Sequence, residues 1–203
     1  MIEICQWTGR NACPTFYART YDQIAPHYDR GMRPLDRGFL ARLRETTFQY
    51  LPQDGRILEI GAGTGLNFVY YPNNALAVAS EPSREMLKIA QSKQRPERAH
   101  LIQGCAEHLP FADHSFDAAF ATLVFCSVVR PEAAFAELQR VVKPGGAVML
   151  LEHVRPNNLL GPLFDLLNWI TVPLFDDHFN RRTAATAKAA GLNVVRVEKS
   201  LLG

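Results

Sequence analysis

Residues 58–65 read Leu-Glu-Ile-Gly-Ala-Gly-Thr-Gly, an apolar run that ends in three glycines within five positions. The apolar part predicts a buried strand over Arg56–Ile60, and the glycines predict a tight turn leading into a helix. Because glycine has no Cβ, such a turn can adopt positive φ angles and let a ligand approach the backbone. A dinucleotide-binding turn has a further glycine where this chain has Leu66, so the pattern does not predict a pyrophosphate site.

Strand and helix patterns alternate along the rest of the chain. Four more short, buried strands are predicted at Ala75–Ser80, His100–Gln103, Asp117–Phe125 and Gly146–His153. Helices are predicted between them at Ser83–Gln94 and Pro131–Val142. This order predicts a Rossmann-like, three-layer α/β sandwich with a mostly parallel central sheet and helices on both faces. Ligands of such sheets bind beyond the carboxyl ends of the strands.

The amino-terminal residues have a different pattern. Residues 1–50 predict a helical extension, followed by one domain over 51–203. Aromatic residues at near-helical spacing predict a helix over 15–30, which Pro26 is expected to break or kink. Pro34 is expected to open a second helix, whose apolar side is formed by Leu35, Phe39, Leu40, Leu43, Phe48 and Leu51.

Composition excludes several classes of protein. Lys and Arg total 22 and Asp and Glu total 20, a net charge of +2 that argues against a nucleic-acid-binding protein. A secretory signal peptide begins with basic residues that an apolar run follows, whereas the first residues of this chain include the acidic Glu3 and the polar Gln6. We therefore expect a cytoplasmic protein. No run of 18 apolar residues predicts a membrane-spanning helix. The four cysteines lack the paired spacing of a zinc site, and no metal is predicted.

Polar residues follow the second and third predicted strands. Glu81 lies about one strand–helix unit after the glycines, where a carboxylate can accept both hydroxyls of a ribose. Its alternative role is to stabilise the amino terminus of the helix after Ser83. Residues 104–107, Gly-Cys-Ala-Glu, follow the third strand at a position suited to enclosing an adenine ring.

In this combination the sequence resembles the class I S-adenosylmethionine-dependent methyltransferases, and within them the type 11 group. The resemblance covers roughly residues 20–200 and rests on the Leu58–Gly65 turn, Glu81 beside Ser80 and Pro82, and Lys143-Pro144-Gly145-Gly146. The family more often has Asp at the position of Glu81. The resemblance implies S-adenosylmethionine as cofactor, with S-adenosylhomocysteine as product. It implies a cofactor site made of Glu59, Gly61, Ala62, Gly63, Gly65, Glu81, Pro82, Met86, Cys105, Ala106, Glu107, Thr122, Leu123, Tyr17 and Tyr28.

Several of these residues have a structural alternative. Glu59 can be a buried carboxylate held by neighbouring side chains, since an unpartnered buried acid is costly. Cys105 and Cys126 can be small apolar fillers of the core.

Two residues are candidates for the transfer step. Methyl transfer depends mainly on alignment, and some acceptors also need a base. His153 ends the fifth predicted strand at the ligand-binding edge, and it either serves the acceptor or is a structural hydrogen-bonding residue. Tyr21 belongs to a repeated Tyr-Asp pattern, 21–22 and 28–29, which in similar methyltransferases forms an amino-terminal lid. Aromatic packing of the extension onto the domain is the alternative.

Residues 155–178 form an insertion that is apolar nearly all round between 159 and 175. A surface helix would have a polar face, so we expect a substrate cover, a homodimer contact or a peripheral membrane patch. Asp176, Asp177 and His178 follow and either enter the site or remain solvated. Family members end in an antiparallel hairpin, of which only Leu192–Lys199 is recognisable as a strand, so an incomplete hairpin is expected.

The preferred hypothesis is a methyltransferase for a small, largely apolar acceptor such as a lipid amine, a quinone precursor or a thiol. Glu152-His153-Val154 before the insertion resembles the lipid- and thiol-directed branch of the family. A nicotinamide-dependent oxidoreductase of the same architecture is one alternative, which Leu66 disfavours. A non-catalytic cofactor-binding protein is the other.

Overall fold

The computed structural model describes residues 15–152 and 183–198, and gives only the backbone of Thr15–Tyr17. The helices are α1 (Thr15–Asp36), α2 (Phe39–Phe48), α3 (Arg84–Ser92), α4 (Pro131–Val141) and α5 (Thr183–Ala189), with a short 3-10 helix at Phe68–Tyr70. The strands are β1 (Arg56–Ile60), β2 (Leu76–Glu81), β3 (Ala99–Gln103), β4 (Phe116–Thr122) and β5 (Val142–Leu151). No helix in these two ranges is both long and apolar enough to cross a membrane.

The five strands form one parallel sheet in the order β3-β2-β1-β4-β5. The chain moves outward from β1 to β3 on one side and then returns to place β4 on the other side of β1. The carboxyl ends of β1 and β4 therefore flank the point where the strand order reverses, which is where open sheets of this kind bind ligands. This architecture confirms the predicted fold class.

Side chains alternate between the two faces of the sheet, as strand geometry requires. Leu58 and Ile60 of β1 belong to an apolar cluster with α4 and α5, whereas Ile57 joins a second cluster with α2 and the 3-10 helix. Helices thus cover both faces and bury the central strands. Glu59 lies on the Ile57 side, so its carboxylate enters the second apolar cluster.

The amino-terminal helices differ from the prediction. Helix α1 continues through Pro26 and also contains Pro34, which lies in its last turn and does not open a new helix. The second helix begins at Phe39, after Gly38 has adopted a non-helical backbone conformation. A proline removes one backbone donor, and contacts of α1 with the rest of the fold outweigh that loss.

The fifth strand also differs from the prediction. It begins at Val142, and its first pair, Phe116 with Val142, is followed by Ala118 with Ala147. Residues 143–146, which come before most of the predicted strand, therefore form a bulge inside the observed one, where Gly145 has a φ of 81°. Of the strand predicted at Leu192–Lys199, residues 192–198 are described and form no strand.

Candidate cofactor site

The glycine turn joins β1 to the 3-10 helix at the reversal point of the sheet. Gly61, Gly63 and Gly65 have φ angles of 66°, 55° and 81°, values that favour glycine. A Cβ on Gly61 would lie 2.5 Å from a methyl group of Val124, and one on Gly65 would lie 2.3 Å from the ring of Phe68. A Cβ on Gly63 would meet no atom within 4 Å. The turn therefore packs closely at its ends and leaves open space beside its centre.

The carboxylate of Glu81 links the glycine turn to the start of α3. Its Oε2 accepts a hydrogen bond from Gly63 N at 2.8 Å, and its Oε1 accepts one from Ser83 N at 2.8 Å. Ser83 itself caps α3, because its Oγ accepts from Met86 N at 3.1 Å. Glu81 is only 4% exposed, and burial raises its pKa to about 7 despite these two backbone donors. Glu81 and Ser83 thus both stabilise the amino terminus of α3, which is the alternative role of Glu81.

Glu59 is bound by side chains of the segment that follows the turn. Asn67 donates to one carboxylate oxygen through Nδ2, and the hydroxyl of Tyr71 donates to the other. Glu59 is 1% exposed, and burial raises its pKa to about 7 while the two donors oppose that rise. These contacts support a structural role for Glu59, as an anchor for the residues after the glycine turn.

A small cleft, partly open to solvent, lies beside these groups. Of the predicted cofactor residues it is lined by Gly61, Pro82, Cys105, Ala106 and Glu107. Apolar residues from the segment after β4 complete its wall, namely Val124, Val128 and Val129. The predicted residues that do not line it are Tyr28, Glu59, Ala62, Gly63, Gly65, Glu81, Met86, Thr122 and Leu123, and Met86 is fully buried in α3.

The segment after β4 is held by the end of β5. Leu123 has a positive φ of 57°, which is rare for a residue with a branched side chain, and its N–H donates to Leu151 O at 2.7 Å. Glu152 Oε1 accepts hydrogen bonds from Val124 N and Phe125 N, both at 3.0 Å. These contacts fix the direction of the chain after Thr122, so that Val124 packs against Gly61 of the glycine turn. Backbone strain of this kind concentrates at functional sites.

Helix α1 is bound to the same edge of the sheet through the acidic residues of the Tyr-Asp repeat. Asp22 Oδ1 accepts from Ser83 Oγ at 2.6 Å and from Glu85 N at 3.1 Å. Asp29 Oδ1 accepts from the hydroxyl of Thr64, inside the glycine turn, at 2.5 Å. The sequence pattern had identified the repeat, and its aspartates rather than its tyrosines supply these polar contacts.

The tyrosines of the repeat lie together on α1. The rings of Tyr21 and Tyr28 are tilted against each other with centroids 6.3 Å apart. Burial raises the pKa of Tyr28 above its usual range, and the neighbouring Cys126 and Glu81 add to the rise. Tyr28 therefore stays protonated close to Glu81.

Comparison with known proteins identifies this arrangement. The family model described as a methyltransferase domain matches residues 58–150. A demethylmenaquinone methyltransferase of Roseiflexus sp. (strain RS-1) is 33% identical over 181 residues, which are 87% of this chain and 72% of that enzyme. The chain belongs to the class I S-adenosylmethionine-dependent methyltransferases. The nicotinamide oxidoreductase alternative is accordingly not favoured.

Other relatives and structures support this methyltransferase assignment. Rat thiol S-methyltransferase TMT1B is 38% identical over 104 residues, 48% of this methyltransferase and 42% of the rat enzyme. A crystal structure of a Thermotoga maritima S-adenosylmethionine-dependent methyltransferase, a possible histamine N-methyltransferase, matches with a TM-score of 0.67 and 26% identity. The match covers 85% of this chain and 80% of the Thermotoga maritima chain. The demethylmenaquinone methyltransferase of Renibacterium salmoninarum is 36% identical over 146 residues, which are 70% of this chain. The chain spans 61% of the length of that enzyme.

The structure of this methyltransferase brings some predicted residues together and does not describe others. Glu81, Gly63, Pro82 and the loop at 105–107 meet at one edge of the sheet. His153, the side chain of Tyr17 and the insertion at 155–178 lie outside the described residues. The sequence reasoning missed the supporting residues Asn67, Thr64, Tyr71, Ser83 and Lys93. A signal for two of them was present, since Thr64 and Ser83 directly follow the predicted ligands Gly63 and Pro82.

Proposed function

We propose that this methyltransferase binds S-adenosylmethionine between the glycine turn, Glu81 and the loop at 105–107, and methylates a small, apolar acceptor. The observation that carries the cofactor site is the position of Glu81. Its carboxylate is fixed by backbone donors from both the glycine turn and the start of α3, next to the open space at Gly63, and the following residue, Pro82, lines the cleft. A side chain at residue 63 would fill that space, which fits a ligand lying on the turn.

Each part of the proposed site has a distinct task. Glu81 would accept the ribose hydroxyls with the lone pairs that Gly63 and Ser83 leave available. Pro82, Cys105, Ala106 and Glu107 would border the adenine, and the turn at 61–65 the methionine portion. When bound, the cofactor supplies a methyl group already activated on a sulfonium. The chain's own residues need only bind it, orient it against the acceptor and exclude water.

The proposed acceptor class rests on two kinds of support. The relatives include methyltransferases named for demethylmenaquinone and for thiols. The sequence from 159 to 175 is apolar nearly all round, which suits a cover over an apolar molecule. We propose His153, directly after Glu152, as the residue that contacts or deprotonates the acceptor. We further propose residues 1–50 as an extension whose Tyr17, Tyr21 and Tyr28 close over the cofactor, and 51–203 as the methyltransferase domain.

A methyl-transfer assay with labelled S-adenosylmethionine tests this proposal. The acceptors are a demethylmenaquinol presented in detergent, a long-chain alkyl thiol, and histamine as a polar amine. We expect transfer to at least one of the apolar acceptors and not to histamine. His153→Ala should lose turnover while it retains cofactor binding, whereas the matched variant His100→Ala, at an exposed position of β3, should retain both.

The alternatives predict different results. Transfer to histamine alone would overturn the apolar acceptor and keep the methyltransferase. Tight cofactor binding without transfer to any acceptor in a broad panel of thiols, phenols and amines would favour the non-catalytic alternative. Unchanged turnover in His153→Ala would leave that histidine a structural residue.

A further inference from the structure

A polar cluster outside the proposed ligand contacts joins three separate segments of the chain. Lys93, directly after α3, places its Nζ 2.6 Å from Asp29 Oδ2 of α1. The same Nζ donates to Thr64 Oγ1 at 3.2 Å, and the Thr64 hydroxyl donates to the other oxygen of Asp29 at 2.5 Å. The three side chains therefore form a closed ring of contacts among α1, α3 and the glycine turn.

The position of this ring on the turn is informative. Thr64 lies between Gly63 and Gly65. The N–H of Gly63 donates to Glu81, and the ring of Phe68 packs so closely against Gly65 that it leaves no room for a Cβ there. Thr64 is 1% exposed, so its hydroxyl has few alternative partners. Holding Thr64 therefore also holds the direction of the Gly63 N–H toward Glu81.

A second contact of α1 ends on the other donor to Glu81. Asp22 accepts from the hydroxyl of Ser83, whose N–H donates to Glu81 Oε1. Asp22 and Asp29 are seven residues apart, about two helical turns, so they lie on one side of α1. One helix thus supports both backbone groups that orient the Glu81 carboxylate.

Lys93 supplies the cation of this arrangement and pairs with Asp29 of α1. The side chains of Lys93 and Asp29 are 26% and 41% exposed, so salt partly screens their attraction. A lysine at the end of a helix is also favoured by the helix dipole alone. The dipole does not require contact with another element, whereas Lys93 reaches both α1 and the turn.

We propose that Lys93 is a positioning residue for cofactor binding: it clamps α1 onto the glycine turn through Asp29 and Thr64. Because one clamp holds both segments, docking of α1 is coupled to the orientation of the Gly63 N–H. This inference rests on the proposed cofactor site. It adds that affinity for the cofactor depends on an ion pair that does not touch the cofactor.

The test compares Lys93→Met, Asp29→Asn and the charge-swapped double variant Asp29→Lys/Lys93→Asp with the wild type. Lys88→Met is the matched control, because Lys88 lies in α3, five residues before Lys93, and pairs with Glu85 one turn away at 2.6 Å. Binding of S-adenosylhomocysteine is measured by calorimetry at about 0.05 M and about 0.5 M NaCl. Hydrogen exchange of the α1 amides is measured on the protein without cofactor, and KM for S-adenosylmethionine is compared with kcat.

We expect Lys93→Met and Asp29→Asn to weaken S-adenosylhomocysteine binding by roughly three- to fivefold at low salt. KM for the cofactor should rise while kcat changes little, and α1 amides should exchange faster. High salt should lower the affinity of the wild type for S-adenosylhomocysteine toward that of the variants. The charge-swapped double variant should recover part of the affinity. The Lys88→Met protein should match the wild type in each measurement.

Two results separate this inference from the proposed site. If the wild type binds S-adenosylhomocysteine and the Lys93 and Asp29 variants match Lys88→Met, the clamp is overturned and the proposed site stands. If the wild type does not bind S-adenosylhomocysteine, the proposed site falls and the clamp's role in binding falls with it. Unchanged α1 exchange in Lys93→Met also contradicts the clamp, whatever the cofactor does.

Discussion

The hydroxyl group of Tyr71 donates a hydrogen bond to the carboxylate of Glu59, and both side chains are buried in the apolar face of the sheet. Tyr71 also packs edge-on against Phe120 of the neighbouring strand β4, with ring centroids 5.7 Å apart. Because Tyr71 lies in the apolar core, it fixes the position of Glu59 and with it the end of β1. Burial raises the pKa of Tyr71 well above its usual range, so its proton stays available for this bond.

The buried Glu59 makes stability depend on pH. Its pKa rises from 4.5 in the unfolded chain to about 7 in the fold, so between these values the folded state binds more protons. The free energy of unfolding should therefore fall as pH rises from about 4.5 to about 7, by about 3 kcal/mol from this group. Urea unfolding across that range measures the slope. Glu59→Gln should reduce the slope and leave the part that Glu81 contributes, while Glu97→Gln, at an exposed position, should keep the wild-type slope. A wild-type stability that rises over this range would contradict the assignment.

Cofactor affinity should depend on pH through Glu81. Burial raises its pKa to about 7, and only the ionised carboxylate accepts hydrogen bonds from both ribose hydroxyls. We therefore expect S-adenosylhomocysteine to bind about tenfold more tightly at about pH 8 than at about pH 6. Glu81→Gln should bind weakly with little difference between the two pH values, and this comparison corrects for titration of the ligand itself. The same pH dependence in both proteins would show that Glu81 does not hold the ribose.

Alanine at Gly61 should be more damaging to folding than alanine at Gly63. Both glycines have positive φ angles, but only at Gly61 would a Cβ collide, 2.5 Å from Val124. Relative to Gly63→Ala, Gly61→Ala should lower the free energy of unfolding by a further ~1–3 kcal/mol, measured by denaturant unfolding. Val124→Ala in the same chain should restore part of the loss. For Gly63→Ala we expect the larger effect on cofactor affinity. Equal stabilities of the two single variants would rule out close packing at Gly61.

The buried ion pair of Arg44 with Asp36 joins α2 to the end of α1. Their side chains are 6% and 14% exposed, and Arg44 Nε and Asp36 Oδ2 have no hydrogen-bond partner within the described residues. Arg44→Met should cost about 3–5 kcal/mol of unfolding free energy, since it leaves a buried carboxylate without its cation. The double variant Asp36→Leu/Arg44→Met should recover most of this cost. Arg42→Met, exposed on the same helix, should stay within about 0.5 kcal/mol of the wild type. A cost for Arg44→Met no larger than that for Arg42→Met would contradict burial of the pair.

The parts of the fold that depend on local pattern were predictable. The run from Leu58 to Gly65 contains its own signals, because apolar residues form the strand and glycines allow the turn. Glu81 was identifiable because it follows a second strand in a fixed chain order, and parallel strands bring their carboxyl ends to one edge. Local signals failed at Pro26 and Pro34, where contacts of α1 outweigh the low helix propensity of proline.

The supporting residues were not predictable from the sequence. Asp29 and Lys93 are 64 positions apart, and nothing in either local pattern indicates that they meet. Asn67 and Tyr71 resemble ordinary residues of a short helix, and their role depends on Glu59 facing the same apolar cluster. Such pairings follow from the packing of whole elements, which a single sequence does not specify at the level of side chains.

Glu81 and the glycine turn are the groups proposed to hold S-adenosylmethionine. Calorimetric titration of the wild type and of Glu81→Ala with S-adenosylmethionine, and in parallel with NADH, tests this proposal most directly. We expect a saturable one-to-one isotherm for S-adenosylmethionine with the wild type, a large loss of affinity in Glu81→Ala, and no binding of NADH. Tight NADH binding, or equal S-adenosylmethionine affinity in the two proteins, would contradict the proposal.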